Sequence, residues 1–309
     1  MISRAIEDTE LQEHISSLPA DGREVFLLSD GNIRLSGVSA TTMLNKMKAN
    51  HNTGFIETYV LGQAYIAAAL LSSVVKGKDR VQMDIECGGP IKGLSVESWA
   101  SGAVRGFLRN NPIPLSKPLE NLDTSPLFGP GFMTITKILE GSKAPFSGQI
   151  MLEYGNIAKD LALYFSQSEQ TPSLFYLSIR FDDKGRVWGA GGIFIQALPG
   201  CPENILEELQ AKAAELTNMG LFLSEGRSAK EYVEEEFGKW KPEHIGHTPI
   251  GFSCPCSRDH FRSYLSALPE NDRKAILEGE FPLVLECLNC GTDYSFDKAE
   301  IEKLFMEEK

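Results

Sequence analysis

Phe252–Phe261 reads FSCPCSRDHF, and Leu285–Tyr294 reads LECLNCGTDY. These two stretches hold Cys254, Cys256, Cys287 and Cys290, four of the six cysteines in 309 residues. Thirty residues separate Cys256 from Cys287. A C-x-C and a C-x-x-C pair at that separation can converge on one tetrahedral Zn²⁺ through four sulfurs. The segment from Cys254 onward has only 56 residues and few large apolar groups. It is therefore expected to need a metal staple. Closed four-sulfur coordination leaves no open position for a substrate, which points away from catalytic zinc.

The sequence Cys254-Pro255-Cys256 is unusual. A disulfide within C-x-C closes a very small ring and is strained, hence easily reduced. Pro255 pushes Cys254 toward an extended conformation. Zinc would hold all four sulfurs as thiolates, the form that attacks oxidants. The pair reads as suited to switching more than to permanent bracing. His244, His247 and His260 lie close in sequence, but four cysteines already complete a shell, so these are expected on the surface. Cys87 ends a predicted strand and reads as an inert core thiol. Cys201 falls at a domain edge and takes no role.

Outward from the cysteines, the chain is acidic, with net charge −12 and pI near 5.0. That disfavours a non-specific grip on nucleic acid or on an anionic membrane. The hydrophobic fraction of 42% and charged fraction of 23% are those of a soluble globular protein. The opening MISRAIEDTELQEHISS has no continuous apolar segment and does not read as a secretory signal. The longest nearly apolar run, Tyr65–Val75, is about half the length needed to span a bilayer. A cytoplasmic protein with reduced thiols is expected.

Length predicts two or more domains. EVFLLSDGNIRL (Glu24–Leu35) reads as a hairpin around Asp30-Gly31. Ser39 is placed to cap a helix over the following ATTMLNKMKAN, and a long buried helix is predicted from Phe55 to about Gly77. DRVQMDIEC, IKGLSVESWA, GAVRGFL and GFMTITKIL alternate in polarity and read as antiparallel strands. Ile157–Ser168 returns to a helical period, and Ser173–Leu198 reads strand, turn, strand. The fold class is α+β: a largely antiparallel sheet with helices in a core of residues 1–200.

Residues 201–253 carry ten acidic and five basic side chains. Two amphipathic helices are predicted there, over Pro202–Gly220 and from Ser228, whose spacing to Glu231 is that of a capping box. Such a helical linker buries a thin apolar stripe and is marginal unless docked. Residues 254–309 then form a small zinc-binding domain. WGAGGIF (Trp188–Phe194) lacks G-x-G-x-x-G spacing and leads into a strand, so close backbone packing or a bulge is expected, without a phosphate cradle. No Ser-His-Asp set or paired acids stand out, and no enzyme activity is expected.

With these residues in hand, the sequence resembles the heat shock protein 33 family of redox-regulated cytosolic chaperones. CPCSR…CLNCGTDYSF matches the family's cysteine signature. GGPIKGLSVES…GAVRGFLRN, YFSQSEQTPSLFYLSI (Tyr164–Ile179) and AGGIFIQALPG are similar to its core. The resemblance implies a holdase without an ATP site, and one Zn²⁺ per reduced chain on Cys254, Cys256, Cys287 and Cys290. It implies that oxidation forms Cys254–Cys256 and Cys287–Cys290 disulfides and releases the metal. The linker then unfolds, unfolded client proteins bind, and the chain forms a homodimer. Cys87 and Cys201 lie outside the family motif. The alternative is a zinc-ribbon protein that binds nucleic acid, for which Arg258 and Arg262 are the local basic residues.

Overall fold

The computed structural model describes residues 1–306 other than 116, 118 and 120. An N-terminal helix, α1 (Thr9–Ser17), precedes a hairpin of β1 (Gly22–Leu28) and β2 (Ile33–Ser39). Helices α2 (Thr41–His51) and α3 (Phe55–Leu71) follow, then β3 (Arg80–Cys87), β4 (Gly93–Trp99) and β5 (Ala103–Leu108). A short α4 (Ser125–Phe128) leads to β6 (Gly131–Ile138), β7 (Phe146–Met151) and α5 (Ile157–Gln167). Strands β8 (Ser173–Phe181) and β9 (Val187–Ala197) come next. Helices α6 (Glu203–Ala213), α7 (Met219–Ser224) and α8 (Ala229–Glu236) then lead to β10 (Glu243–Pro249) and β11 (Gly251–Phe252). The C-terminal part holds α9 (Arg258–Ser266), α10 (Glu270–Glu278), β12 (Leu283–Cys287), β13 (Thr292–Phe296) and α11 (Lys298–Met306). The last three positions of the expected 254–309 unit lie outside the described residues.

Two sheets sandwich α3. One has the order β10-β1-β2-β9-β8, and the other β11-β5-β4-β3-β6-β7. All pairings within them are antiparallel except β11 with β5. The class is α+β, as expected. Helix α3 is buried, and mostly apolar, around nearly its whole circumference because both flanks meet a sheet. With the turn after it, Phe55–Val74 is long and apolar enough to cross a membrane, but it is mostly buried inside the protein. It ends earlier than predicted, at Leu71, where the guanidinium of Arg23 donates to Ala69 O (3.2 Å) and Ser72 Oγ. A cation there complements the negative end of the helix dipole.

The Asp30-Gly31 hairpin forms, with positive φ at Ser29, Asp30 and Gly31 (52°, 54° and 90°). The Ser39 cap does not. Ser39 Oγ accepts from Ala229 N (3.1 Å) at the start of α8, across 190 residues. The start of α2 is capped instead by Asp21, which accepts from Met43 N (2.6 Å) and Thr42 N (3.3 Å). Burial pushes the Asp21 carboxyl up to about 7.

The outer face of the first sheet supplies Phe26, Leu28, Ile33, Leu35, Ile193 and Ile195 to a second core. Helices α6–α8 cover it with Leu209, Met219, Tyr232, Val233 and Phe237. The predicted single helix over 202–220 is two, because Asn218 accepts from Leu221 N and starts α7. The predicted helix from Ser228 forms with its capping box. Residues 243–252, inside the expected helical linker, are strands: β10 pairs with β1, and β11 with β5. The WGAGGIF glycines serve close packing. A Cβ on Gly189 would sit 2.0 Å from Gly220 O, so α7 lies directly on the strand backbone.

Candidate metal centre

Strand β11 places the first cysteine pair. Gly251 and Phe252 pair with Ala103 and Val104, and Ser253 N donates to Val104 O (3.0 Å). The chain leaves this edge without regular secondary structure over Cys254-Pro255-Cys256. After Cys256, Ser257 starts α9 by accepting from His260 N (3.2 Å). The second pair sits at the turn between β12 and β13. Cys290 N and Gly291 N both donate to Cys287 O (3.0 and 2.8 Å). Gly291 has φ +62°, and a Cβ there would lie 2.5 Å from Asn50 O, so the turn is pressed against the end of α2. Gly106 N on β5 donates to Asn289 O (3.2 Å) and holds the same turn.

The four sulfurs lie within 4.8 Å of one another, on residues no more than 7% exposed. Cys254 Sγ is 3.9 Å from Cys287 Sγ, and Cys256 Sγ is 3.4 Å from Cys290 Sγ. A disulfide needs about 2.05 Å, and all six cysteines are free. Four sulfurs about 2.3 Å from a central Zn²⁺ would be separated by about 3.8 Å along each tetrahedral edge. The donor set therefore fits a zinc ion in size and chemistry. Among the described residues no other group of three or more His, Cys, Asp or Glu side chains gathers this closely.

Charge leads to the same conclusion. Hydrogen bonds from Cys287 and Cys290, and then from Arg105, hold the Cys254 thiol far below its ordinary range. The hydrogen bonds that Cys287 and Cys290 make to Cys254 push their own thiols up, Cys290 to about 11. Four buried thiols crowded together cannot all ionise without a cation among them.

Several neighbours complete the surroundings. Arg105 Nη1 donates to Cys254 Sγ (3.4 Å). Thr292 Oγ1 lies 3.2 Å from Cys290 Sγ, and Tyr294 Oη lies 3.2 Å from Cys256 Sγ. Arg105 also binds Glu97 (2.6 Å), which is 6% exposed and pairs with Arg80 (2.7 Å). This row of charges runs from β3 through β4 and β5 to the sulfur cluster. The sequence reading gave Arg105 no role. Its only local signal is a charged residue in an otherwise small or apolar strand, GAVRGFL.

The remaining candidates lie elsewhere. His244 and His247 both bind Glu24 on β1 (2.6 Å each) and are exposed, as expected. His260 is exposed on α9 and stacks on Tyr264 at 5.1 Å. Cys87 ends β3 as predicted, but it is half-buried at the sheet's end instead of deep in a core. Burial raises its thiol, as it does for Cys201. Arg258 and Arg262 both point to Glu300 (2.5 and 3.6 Å).

Comparison with known proteins agrees with this geometry. A family model described as "Hsp33 protein" matches residues 21–297. The 33 kDa chaperonin of Desulforamulus reducens is 32% identical over 284 residues, covering 91% of this chain and 96% of that protein. The 33 kDa chaperonin of Agathobacter rectalis is 32% identical over 280 residues, with 89% and 96% covered. The crystal structure of the 33 kDa chaperonin (heat shock protein 33 homolog) of Thermotoga maritima superposes with a TM-score of 0.83. It is 28% identical, and the match covers 94% of this chain and 99% of that one.

Proposed function

The chain belongs to the Hsp33 family, and from that premise we propose that it is a redox-regulated, ATP-independent holdase. The observation that carries the proposal is the buried cluster of four free sulfurs, with spacings suited to one zinc ion. Cys254, Cys256, Cys287 and Cys290 are proposed to hold that ion. When bound, zinc would keep the four sulfurs as thiolates and pin the two cysteine turns together.

In this reading residues 1–200 form the core, 201–253 a metastable linker, and 254–309 the redox domain. A hydroperoxide oxidises each close pair, Cys254 with Cys256 and Cys287 with Cys290. Each new S–S bond takes two electrons from a pair of thiolates and, with two protons from solvent, reduces one hydroperoxide to water and a second water or alcohol. Loss of four thiolate ligands frees the metal, and the 56-residue segment loses its staple. Strand β11 is a short edge pairing on β5, Gly251 and Phe252 followed by the Ser253 N to Val104 O bond just before Cys254, so unfolding can spread back into the linker.

The surface this uncovers is apolar. Helices α6–α8 roof Phe26, Leu28, Ile33, Leu35, Ile193 and Ile195. A groove of about 300 Å³ already opens beside α6, lined by Ala162, Phe175, Leu206 and Leu209 among others. Large exposed apolar surface is what an unfolded client protein binds. The same exposure supports dimerisation of the oxidised chain. A reducing compartment, the cytoplasm, would keep the resting protein in its thiol form. The nucleic-acid alternative gains no support, since Arg258 and Arg262 are paired with Glu300.

The test measures bound zinc and suppression of client aggregation on the same samples, before and after peroxide. Zinc should leave as suppression appears. Retention of the zinc through full activation would remove the metal from the mechanism.

A further inference from the structure

The first seventeen residues touch both the sulfur cluster and the core, and they precede the stretch, 21–297, that the family model matches. We propose that residues 1–17 are a strap that holds the cysteine segment on the core. Resting on the reading above, this strap would also set how much oxidant is needed for release.

The contacts at the cysteine end are specific. Ile2 N donates to Thr292 Oγ1 (3.3 Å), and Ile2 O accepts from the same hydroxyl (3.2 Å). Arg4 Nη2 donates to Gly291 O (3.2 Å). The Met1 amine donates to Cys256 O (2.6 Å). Asn50 joins all three parties. Its Oδ1 accepts from Arg4 N (3.0 Å), and its Nδ2 donates to Ile2 O (3.1 Å) and to Cys290 O (2.9 Å). Both cysteine turns are thus bound by residues 1–4, through the backbone atoms of Cys256 and Gly291 and the side chain of Thr292.

The other end is anchored on the turn between β8 and β9. Arg186 Nη1 meets Asp8 (3.1 Å) and Glu10 (2.9 Å), and Lys184 meets Glu10 (2.7 Å). The His14 ring stacks on Trp188 at 3.6 Å, 4° from parallel. Leu11 alone in α1 is buried.

Between these ends the segment bridges a space instead of filling one. Residues 4–8 border a cleft of about 550 Å³ whose other walls include Asn45, Lys48, Ala49 and Asn52. A segment tied at two ends, with a cleft beneath its middle, adds hydrogen bonds to the docked state but little buried apolar surface. Such a contact opens at low cost and belongs to the least stable part of a fold.

The test is amide hydrogen exchange across residues 287–294 in the reduced, zinc-loaded protein. It compares the full chain with a deletion of residues 2–17 and with Asp8→Ala/Glu10→Ala, whose side chains are 42% and 57% exposed. Loss of the strap's hydrogen bonds should raise exchange there about tenfold in the deletion, and by a smaller factor in the double variant. The peroxide dose for half-maximal zinc release should fall in step. Should the deletion not fold, the double variant decides alone. Exchange unchanged in the folded variants overturns the strap. Faster exchange in proteins whose chaperone activity never responds to peroxide supports the strap and counts against the redox reading.

Discussion

Arg105 on β5 places Nη1 3.4 Å from Cys254 Sγ while its other nitrogens hold Glu97 at 2.6 and 2.8 Å. A guanidinium beside a thiolate favours the charged ligand, and outer-shell partners of this kind typically tune metal affinity by about 10- to 100-fold. Arg105→Ala should therefore weaken zinc binding about tenfold in a competition titration against a chromogenic chelator. Glu97 keeps its pairing with Arg80, so the core should stay folded. Unchanged affinity would mean that Arg105 serves Glu97 alone.

Gly189 tests the proposed linker. Its absent side chain lets Gly220 O approach the strand, and a Cβ would lie 2.0 Å from that oxygen. Gly189→Ala should lift α7 at a cost of about 1–3 kcal/mol. The variant should show protease cleavage within 201–240 and partial suppression of client aggregation while fully reduced. A variant that resists protease like the parent would show that the helices tolerate the shift.

Asp160 holds the loop after β7. It is 1% exposed and accepts from three backbone N–H groups, those of Glu153, Tyr154 and Asn156, each at 3.0 Å. Asp160→Ala leaves these donors without an acceptor, and it should lower stability by about 3 kcal/mol in urea denaturation. A loss below about 0.5 kcal/mol would show that water replaces the carboxylate.

Asp21 gives the core a pH dependence of known sign. Burial raises its carboxyl from 3.8 to about 7 in the folded chain. A raised acid contributes stability that is complete below its unfolded value and is lost as pH climbs through the folded value. Asp21→Asn, which keeps an acceptor for Met43 N, should match the parent near pH 4. By pH 8 it should be more stable, by about 1–2 kcal/mol, a discounted figure because Asp21 is partly accessible. Equal pH profiles for the two proteins would contradict this.

What the sequence made legible was what is local. The cysteine spacings announce their own convergence, because two short turns can face one another whatever lies between them. The Asp30-Gly31 turn and the Ser228–Glu231 capping box are likewise decided within four residues. The cap of α2 is not legible locally, because its acceptor, Asp21, is brought there by the β1–β2 hairpin while Ser39 turns to α8. Strand β10, EHIGHTP, has no apolar alternation to betray it, since it is an edge strand pinned by β1 and by Glu24 bound to two histidines. Strand β7 is hidden from sequence reading for a similar reason: at the sheet's edge only Ile150 is buried. Arg105 acquires meaning only through a cysteine 149 residues away.

The most direct measurement is light scattering from a heat-denaturing client mixed with reduced protein, peroxide-treated protein, or a Cys287→Ser/Cys290→Ser variant. The proposed switch requires little protection from the reduced form and strong protection after peroxide. It also requires reductant to reverse the gain slowly, because metal rebinding and refolding must follow disulfide cleavage. The double variant, assayed with and without peroxide, lacks two of the four proposed ligands as well as the second disulfide, so it should already protect untreated and gain nothing from peroxide. Equal protection by reduced and oxidised parent protein would contradict the switch, even with zinc found on the four cysteines.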